Sequence, residues 1–450
     1  MPTPEVQPAN IGDTEPFTFL TARTIVLYTY GVTDLQQKVH DLFLAQYRDT
    51  FYTLDHFWRF RDGAWQPITP ETVRAQLVVI LQKSGAYPSA RMLAGLLDQL
   101  RLRLAKPAAA WNRDLGLLPC ANGLLDIQAG QLVPHQADHY LARTLPVAYD
   151  PSGQAPYWHT FLSTTVPSAA EFLQEFAGLA LTFDTRFETA VWLYGPPGSG
   201  KSTFLVGLQA MLGDRAGQLD LLSLGRRRLS PAQLFGRSLL LSAEQPLRDL
   251  EHDNLLNALI SGEPLIVDTP SRQPDLFTLR AKWIWAMVSL PRLNRSTSGL
   301  YRRVRIVPLP SRAEADRDPD LKPRIAAEGP GILNWALAGL ARLNQRGRFD
   351  PPPIVNSSTE RFAQANDLFA QFVAEACHLD PSSREPAGRL YAAYAAWCHR
   401  SGLHPESSNT AATEWDRLGF QRRRVAGRSY WLGLQLLPSE PSTGVPVSSN

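Results

Sequence analysis

The nonapeptide GPPGSGKST, from Gly195 to Thr203, constrains this chain more than any other feature. It satisfies the pattern G-x-x-x-x-G-K-[ST] of a phosphate-binding loop. The apolar run Ala190–Tyr194 ahead of it predicts a strand, and the apolar residues behind it recur at helical spacing. When such a loop joins a strand to a helix, its backbone N–H groups and the positive N-terminal end of the helix face the same anion. The sequence therefore predicts an α/β nucleotide-binding core, with a ligand-free glycine-rich turn as the competing interpretation.

The residues of the loop have distinct expected roles. Lys201 contacts the β- and γ-phosphates of ATP, and the Ser202 hydroxyl ligates Mg²⁺. The chain has only six lysines, so chance is a poor explanation for a lysine at this one position. The expected nucleotide-binding residues are Gly195, Pro196, Pro197, Gly198, Ser199, Gly200, Lys201, Ser202 and Thr203.

Two further groups are candidates for phosphoryl chemistry. Glu244 follows the predicted strand Ser238–Ser242, and a strand beside the phosphate-loop strand would deliver this carboxylate to the γ-phosphate and Mg²⁺. A surface glutamate after a strand is the alternative. Arg302 and Arg303 precede the predicted strand Val304–Leu309, and an arginine from a neighbouring subunit can neutralise transition-state charge. A solvated pair of arginines fits the spacing equally well.

Composition excludes several classes of protein. Hydrophobic residues make up 44% of the 450 residues and charged residues 19%, which is typical of a globular chain. The net charge of +3 is too small for a globally basic protein, so any nucleic-acid surface must be local. Three cysteines favour a reducing compartment over a disulfide framework. With no signal pattern and with Trp283–Leu290 too short to span a bilayer, a cytoplasmic protein without a membrane partner is expected.

Alternating strand and helix patterns between about 185 and 310 predict a parallel sheet covered by helices. Helices and hairpins dominate the residues before it, and Gly331–Arg346 predicts a helix that could act as a lid. The expected segments are a disordered N-terminus (1–15), a mostly helical N-terminal domain with hairpins (16–157), the nucleotide-binding domain with its lid (158–349), a Pro/Ser-rich linker (350–359), a compact module of helices ending in a hairpin (360–436) and a disordered tail (437–450).

Several motifs resemble the superfamily 3 helicase part of phage and plasmid primase-helicases, which is related to the poxvirus primase-helicase. The phosphate loop matches the Walker A motif of that family, Ser242-Ala-Glu244 the end of Walker B, and Ser298–Arg303 the arginine-finger region. Other stretches that resemble the family are Asn122–Asp126, Gly130–His135, Tyr149–Pro151, Pro156–Trp158, Ser261–Glu263, Leu290–Pro291, Gly329–Ala336 and Gly347–Pro352.

The resemblance implies an AAA+-like core that assembles as a homo-oligomeric ring, as a hexamer, with ATP between subunits. One subunit would supply Lys201, Ser202 and Glu244, and the next Arg302 or Arg303. The segment between Glu263 and Lys282 would form a loop in the central pore, where its cations would follow the phosphates of single-stranded DNA. These cations are Arg272, Arg280 and Lys282, which would otherwise be ordinary surface charges.

Two features depart from the family pattern. Val288 stands where the family usually has a polar sensor, and its side chain cannot hydrogen-bond the γ-phosphate. Ala243 precedes Glu244, so Walker B has a single acid. Ser289 and Asn294 are the alternative residues for the sensor, and weakened or altered ATPase activity is the alternative to a fully active motor. The stretch ahead of the phosphate loop has no room for a primase domain, so we expect a helicase without priming chemistry.

The end of the C-terminal module is basic and aromatic. Its arginines flank a predicted turn at Ala426-Gly427, and Tyr430 and Trp431 follow. The family resemblance implies a winged helix, and a basic wing suits contact with the DNA backbone. A solvated hairpin is the alternative. The expected DNA-binding arginines are Arg422, Arg423, Arg424 and Arg428.

The sequence thus predicts a ring-forming, ATP-dependent DNA helicase or translocase that acts in the replication of a phage, plasmid or integrated element. Its expected location is the cytoplasm of a bacterial cell or of a phage-infected host. A nucleotide-gated DNA-binding initiator or loader with a degenerate ATPase is the alternative. A small-molecule kinase fits less well because the chain has no acceptor-binding signature.

Overall fold

The computed structural model forms two compact units. Of the described residues, one unit holds those up to Trp111 together with Gln136–Ala142, and the other holds Asn112–His135 and those from Arg143 onward. No helix in the described part of the chain is both long and apolar enough to cross a bilayer. The described residues are 32–54, 56–107, 111–219, 234–243, 253–267, 275–291, 298–313 and 318–438, which leaves both expected disordered ends outside except Leu437 and Pro438.

The first unit packs helices with an antiparallel sheet of order β1-β2-β3. Asp62 and Gly63 adopt φ of 49° and 79° between β2 and β3, as the predicted Asp-Gly hairpin turn requires. Both helices that follow begin with a side-chain cap, from Thr69 and from Ser89. The elements are α1 (Val32–Gln46), β1 (Thr50–Thr53), β2 (His56–Arg61), β3 (Ala64–Ile68), α2 (Pro70–Lys83) and α3 (Ala90–Arg103).

The second unit contains a small antiparallel sheet, a parallel sheet and the helices around them. Its elements up to the C-terminal module are β4 (Leu117–Cys120), β5 (Gly123–Asp126), β6 (Gln131–Val133), α4 (Pro156–Thr165), α5 (Ala170–Ala180), β7 (Ala190–Tyr194), α6 (Lys201–Leu212), β8 (Ala216–Gln218), β9 (Leu239–Ser242), α7 (Asp253–Ser261), β10 (Pro264–Val267), β11 (Asp275–Thr278), β12 (Lys282–Met287), α8 (Ser298–Arg303), β13 (Val304–Pro308), α9 (Leu321–Ala327), α10 (Gly329–Arg346) and α11 (Pro353–Ala365).

The N-terminal domain expected over residues 16–157 is not one body in the structure. Leu118, Cys120 and Leu125 of the β4–β6 sheet lie in the same hydrophobic core as the parallel sheet. This sheet therefore belongs to the second unit. Sequence patterns could not reveal the division, because apolar residues in a short hairpin do not indicate which core they join.

The parallel sheet has the order β13-β7-β12-β9-β8, and every neighbouring pair is parallel. The predicted parallel sheet is confirmed. The strand before Glu244 is not beside the phosphate-loop strand, however, because β12 lies between β7 and β9. Periodicity identifies strands but carries no information about their lateral order.

Helices α5 and α10 cross at very short distance behind the sheet. A Cβ atom added to Gly178 would lie 2.5 Å from the backbone nitrogen of Leu340, and one added to Gly339 would overlap the carbonyl of Gln174. The buried Glu175 carboxylate accepts hydrogen bonds from Arg342, at 2.7 Å, and from Arg346. Glycine at the crossing and a paired charge beside it thus fix this helix pair.

The linker expected over 350–359 is mostly helical instead. Helix α11 begins at Pro353, and its Val355 belongs to the core of the parallel sheet. The Thr359 hydroxyl accepts a hydrogen bond from the Ile306 backbone N–H at 3.1 Å, and Phe362 packs on Trp192. The run of prolines begins this helix, because proline is well tolerated in the first turn. The C-terminal module consequently starts near Leu368 and not at residue 360.

The C-terminal module has its own core around Phe369, Tyr394, Trp415 and Trp431. Its three strands have the order β14-β16-β15, and Ala426 and Gly427 form the β15–β16 turn at positive φ, as predicted. The elements are α12 (Leu368–Ala376), β14 (Cys377–Pro386), α13 (Ala387–Arg400), α14 (Ser408–Arg417), β15 (Gln421–Val425) and β16 (Arg428–Leu436).

Replacing Gly178 by alanine should lower the free energy of unfolding by about 1–3 kcal/mol, the usual cost of overpacking. The added methyl group meets helix backbone, which cannot rotate away. Chemical denaturation followed by tryptophan fluorescence measures the change. Gly388→Ala is the matched control, since a Cβ atom at that helical glycine meets nothing within 4 Å. Equal stability of the two variants would contradict the close crossing.

Candidate phosphate-binding site

The loop between β7 and α6 depends on two glycines for different reasons. Gly200 has φ of 95°, and a Cβ atom there would lie 2.9 Å from Thr165 Cγ2. Gly195 has no space for a side chain, because a Cβ atom would overlap the carbonyl oxygen of Leu309. The loop therefore packs directly against α4 on one side and the end of β13 on the other. The fold therefore sets the position of the loop. Lys201, the residue after Gly200, begins α6.

The Lys201 ammonium is held inside the loop. Its side chain is largely buried, with the residue 8% exposed. Nζ donates hydrogen bonds to the carbonyls of Gly195 at 2.6 Å and Pro196 at 2.8 Å, and to Ser199 Oγ at 3.2 Å. These oxygens offset the cost of burying the charge. The cation therefore lies next to the backbone that would surround an anion.

A cavity of about 700 Å³ opens over the loop, within the size range of ligand sites. It lies at the carboxyl ends of the parallel strands, where α/β sheets bind their ligands. The loop residues Pro197–Thr203 line it, together with Ala243, Ala286, Met287, Val288, Arg312, Asp318, Pro319, Leu321 and Lys322.

Two cations of this cavity were not among the residues that the sequence indicated. Lys322 Nζ lies 3.4 Å from Ser202 Oγ, the hydroxyl expected to ligate Mg²⁺. Arg312 Nη1 donates to Thr165 Oγ1 at 3.2 Å. Among the lining residues that the structure describes, Lys201, Lys322 and Arg312 are cations and Asp318 is a carboxylate. That excess of positive charge suits a polyphosphate, and only the fold brings these residues to the loop.

The expected sensor position lies at this cavity, whereas the expected catalytic acid is outside the described residues. Ala243 lines the cavity, and Glu244, the next residue, is outside the described residues. Val288 follows β12 and lines the same cavity with half of its surface exposed. The side chain at the sensor position is therefore apolar and faces the space above the loop.

Arg302 and Arg303 are at the opposite end of the sheet from the phosphate loop. Val304 pairs with Ala190, the first residue of β7, whereas the loop follows the last residue, Tyr194. Five strand residues separate the two ends, about 16 Å. Neither arginine can reach the loop of its own chain. Arg302 is exposed, whereas Arg303 pairs with Glu188 at 2.7 Å.

The cations expected in a pore loop have different environments. Residues 264–267 and 275–278 form an antiparallel pair, β10–β11, and Arg272 lies outside the described residues. Arg280 is exposed after β11. Lys282 is only 3% exposed, and its Nζ donates to the Thr182 carbonyl, so the prediction that it contacts DNA is wrong for this structure. Its desolvation lowers its pKa well below the usual value, because β12 is an interior strand.

The basic hairpin of the C-terminal module presents its arginines to solvent. Those of β15 alternate across the strand, yet all are exposed, so both faces of the strand are open. Trp431 is buried in the core of the module and is not available for stacking on a base. Tyr430 is half-buried and lies under the Arg384 guanidinium at 5.1 Å. The exposed arginines are Arg422, Arg423, Arg424 and Arg428.

Residues 41–167 match a family described as D5 N terminal like. The match covers less than half of the chain and ends before the phosphate loop. It includes most of the first unit, the β4–β6 sheet and α4. The chain thus contains a D5 N terminal like segment that precedes helix α5 and the parallel sheet.

The fold is similar to solved structures of the NrS-1 C-terminal region. An A-form apo structure of that region has 11% sequence identity and a TM-score of 0.48, covering 87% of this chain and 97% of that one. An apo structure of its residues 305–718 has 9% identity and a TM-score of 0.47, with coverages of 88% and 98%. An A-form of the same residues has 9% identity and a TM-score of 0.49, with coverages of 89% and 100%.

Lys322→Ala should weaken binding of a fluorescent ATP analogue by about tenfold, the loss of one charge-assisted hydrogen bond. Arg324→Ala is the matched control on the same helix, since Arg324 pairs with Asp318 and Asp320. Titration by fluorescence anisotropy measures both. If Lys322→Ala binds as tightly as the unmodified protein, Lys322 does not contact the phosphates.

Proposed function

We propose that this protein is an ATP-dependent DNA helicase or translocase of superfamily 3 type, with an AAA+-like core, acting in phage or plasmid replication. The observation that carries the proposal is the cation-rich cavity over a sequence that matches a complete phosphate-binding loop, with the exposed Arg302 at the opposite end of the same sheet. The D5 N terminal like segment supports it, because it covers stretches ahead of the phosphate loop that resemble the primase-helicase family.

The phosphate loop, Lys201 and Lys322 would bind the triphosphate of ATP. The backbone N–H groups at the start of α6 contribute partial positive charge toward the same place. The cations that line the described part of the cavity favour an anion over a neutral ligand. The Ser202 hydroxyl lines the cavity and is a hard oxygen donor of the kind that Mg²⁺ accepts, with Glu244 as its proposed companion. Bound there, Mg²⁺ would neutralise phosphate charge.

Hydrolysis would need a second subunit. An arginine some 16 Å from its own loop cannot act on a phosphate bound there, but it can act on the neighbour's phosphate. Arg302 is the better candidate for this finger, because Arg303 is engaged by groups of its own chain. A closed ring, proposed as a hexamer, gives every site one loop and one finger.

DNA contacts are proposed at two places. The β10–β11 hairpin, with Arg272 and Arg280, would face single-stranded DNA in the pore. The exposed arginines of β15 and Arg428 would contact the backbone of duplex DNA as the wing of a winged helix. The order of helix, strand, two helices and hairpin in the C-terminal module supports this reading. Both contacts are to phosphates and therefore carry no sequence specificity.

A nucleotide-gated initiator or loader is the second candidate, and Val288 favours it. An apolar side chain half-exposed to the cavity cannot orient an attacking water. Such a protein would bind ATP tightly, change its affinity for DNA and turn nucleotide over slowly. ATPase assays with and without single-stranded DNA separate the two functions, since only the motor predicts stimulated turnover.

Lys201→Ala should abolish hydrolysis, because the loop then has no cation at its centre. Arg302→Ala should bind ATP normally and turn it over at least a hundredfold more slowly, consistent with the roughly 10³–10⁵-fold effect of known arginine fingers. Assembly of the two variants from dissociated subunits should restore part of the activity. Steady-state phosphate release measures each preparation. The control is each variant mixed with itself, and co-assembly without any rescue would contradict a finger acting in trans.

Neutralising Arg422, Arg423 and Arg424 should flatten the salt dependence of duplex DNA binding. Each lost phosphate contact reduces the slope of log K against log salt by about one unit. Fluorescence anisotropy at several salt concentrations gives the slope. Neutralising Arg389, an exposed arginine of the same module that pairs with Glu385, is the control. Slopes that do not change would mean that the hairpin faces solvent.

A further inference from the structure

Arg303, at the end of α8, is bound by groups from three places in the chain. Its Nη2 pairs with the Glu188 carboxylate at 2.7 Å, its Nε donates to Ser261 Oγ at 2.9 Å, and its Nη1 donates to the Gly299 carbonyl at 3.1 Å. Only 17% of the side chain is exposed. A guanidinium with all three nitrogens engaged cannot extend to a neighbouring subunit without breaking these contacts.

The three partners belong to segments with separate proposed tasks. Ser261 ends α7 and stands three residues before the β10–β11 hairpin, the proposed DNA contact. Glu188 stands two residues before β7, whose other end enters the phosphate loop. Arg303 itself follows Arg302 and precedes β13. One side chain thus joins the base of the hairpin, the proposed finger and the strand of the phosphate loop.

The backbone at this junction is tightly constrained. Glu188 adopts φ of 40°, a left-handed conformation that costs a residue with a side chain about 1–3 kcal/mol. Gly262 has φ of 70°, and a Cβ atom there would lie 2.8 Å from Thr185 Oγ1. The segment 185–188 and the base of the hairpin are therefore in direct contact. Such strain persists where surrounding contacts hold the backbone firmly.

Stability alone is a weak reason for the Arg303–Glu188 pair. The Glu188 side chain is 45% exposed, and ion pairs with that much solvent contribute little to the free energy of folding. Arginine offers instead a rigid fork that fixes the direction of each partner. Arg303 therefore differs from the exposed Arg302 because its contacts fix the direction of its side chain, and not because they add much stability.

We propose that Arg303 is a positioning residue that couples the β10–β11 hairpin to the ATP site completed by Arg302. The coupling rests on the proposed function. Movement of the hairpin base at Ser261 shifts Arg303, and with it Arg302 on the same helix and the start of β7 through Glu188. DNA bound at the hairpin thereby adjusts the finger that faces the neighbouring nucleotide.

The test measures the ratio of DNA-stimulated to basal ATPase activity in Glu188→Gln and Ser261→Ala. Neither side chain is placed in the nucleotide site, so ATP-analogue affinity and basal turnover should stay within about twofold of the unmodified protein. The stimulation ratio should fall by about fivefold or more in each. Arg303→Ala should lose stimulation as well, Arg303→Lys should recover part of it, and Arg303→Ala/Glu188→Gln should be no worse than Arg303→Ala alone.

Glu171→Gln is the matched control, since Glu171 forms a solvent-exposed pair with Arg342 at 3.1 Å in the same unit. It should keep the full ratio. If the unmodified protein shows no DNA stimulation, the proposed motor fails. If that protein is stimulated and Glu188→Gln and Ser261→Ala keep the full ratio, the coupling role alone is overturned. A loss of ATP-analogue affinity in Glu188→Gln and Ser261→Ala would also overturn the coupling role, because it would mean that the contacts of Arg303 only stabilise the fold.

Discussion

The phosphate loop depends on the packing of Trp158 beneath it. This fully buried indole fills the space beside Gly207, where any Cβ atom would overlap it, and contacts Phe204 and Trp335. It thereby holds α6 against α4 and α10. Glu328 strengthens the arrangement, because its carboxylate accepts hydrogen bonds from the backbone N–H groups of residues 157 and 158 at the start of α4. The first turn of α6, and hence the position of Lys201, follows from this packing.

The parallel sheet then separates the two halves of the proposed chemistry. All five strands run in one direction, so the phosphate loop, Val288 and the chain leading to Glu244 meet at the carboxyl ends. Arg302 precedes a strand and is therefore at the other end. In the proposed mechanism, a single subunit with this topology would bind the nucleotide but could not place its own arginine on it. The same constraint that assembles the binding cavity makes a second subunit necessary for the proposed mechanism.

Charge in the cavity supports binding more directly than it supports turnover. Lys201 is held by loop carbonyls, and Lys322 approaches from α9, so the proposed ligand, a polyphosphate, would meet positive charge on two sides. Val288 supplies no polar group where the family resemblance implies one. A motor and a nucleotide-gated switch therefore share the same binding site, and they differ in the groups that act on the attacking water.

The sequence by itself determined the features that local chemistry controls. The order of residues from Gly195 to Thr203 matches the pattern of a phosphate loop, alternating patterns predict the strands and helices around it, and Ala426-Gly427 predicts a turn. Contacts between distant parts of the chain were decided only by the tertiary structure. It buried Lys282, made a helix of Pro353–Ala365, inserted β12 between β7 and β9, and brought Lys322 to Ser202. The reason is physical: a motif records which backbone conformations neighbours allow, whereas burial and pairing depend on which surfaces meet after folding.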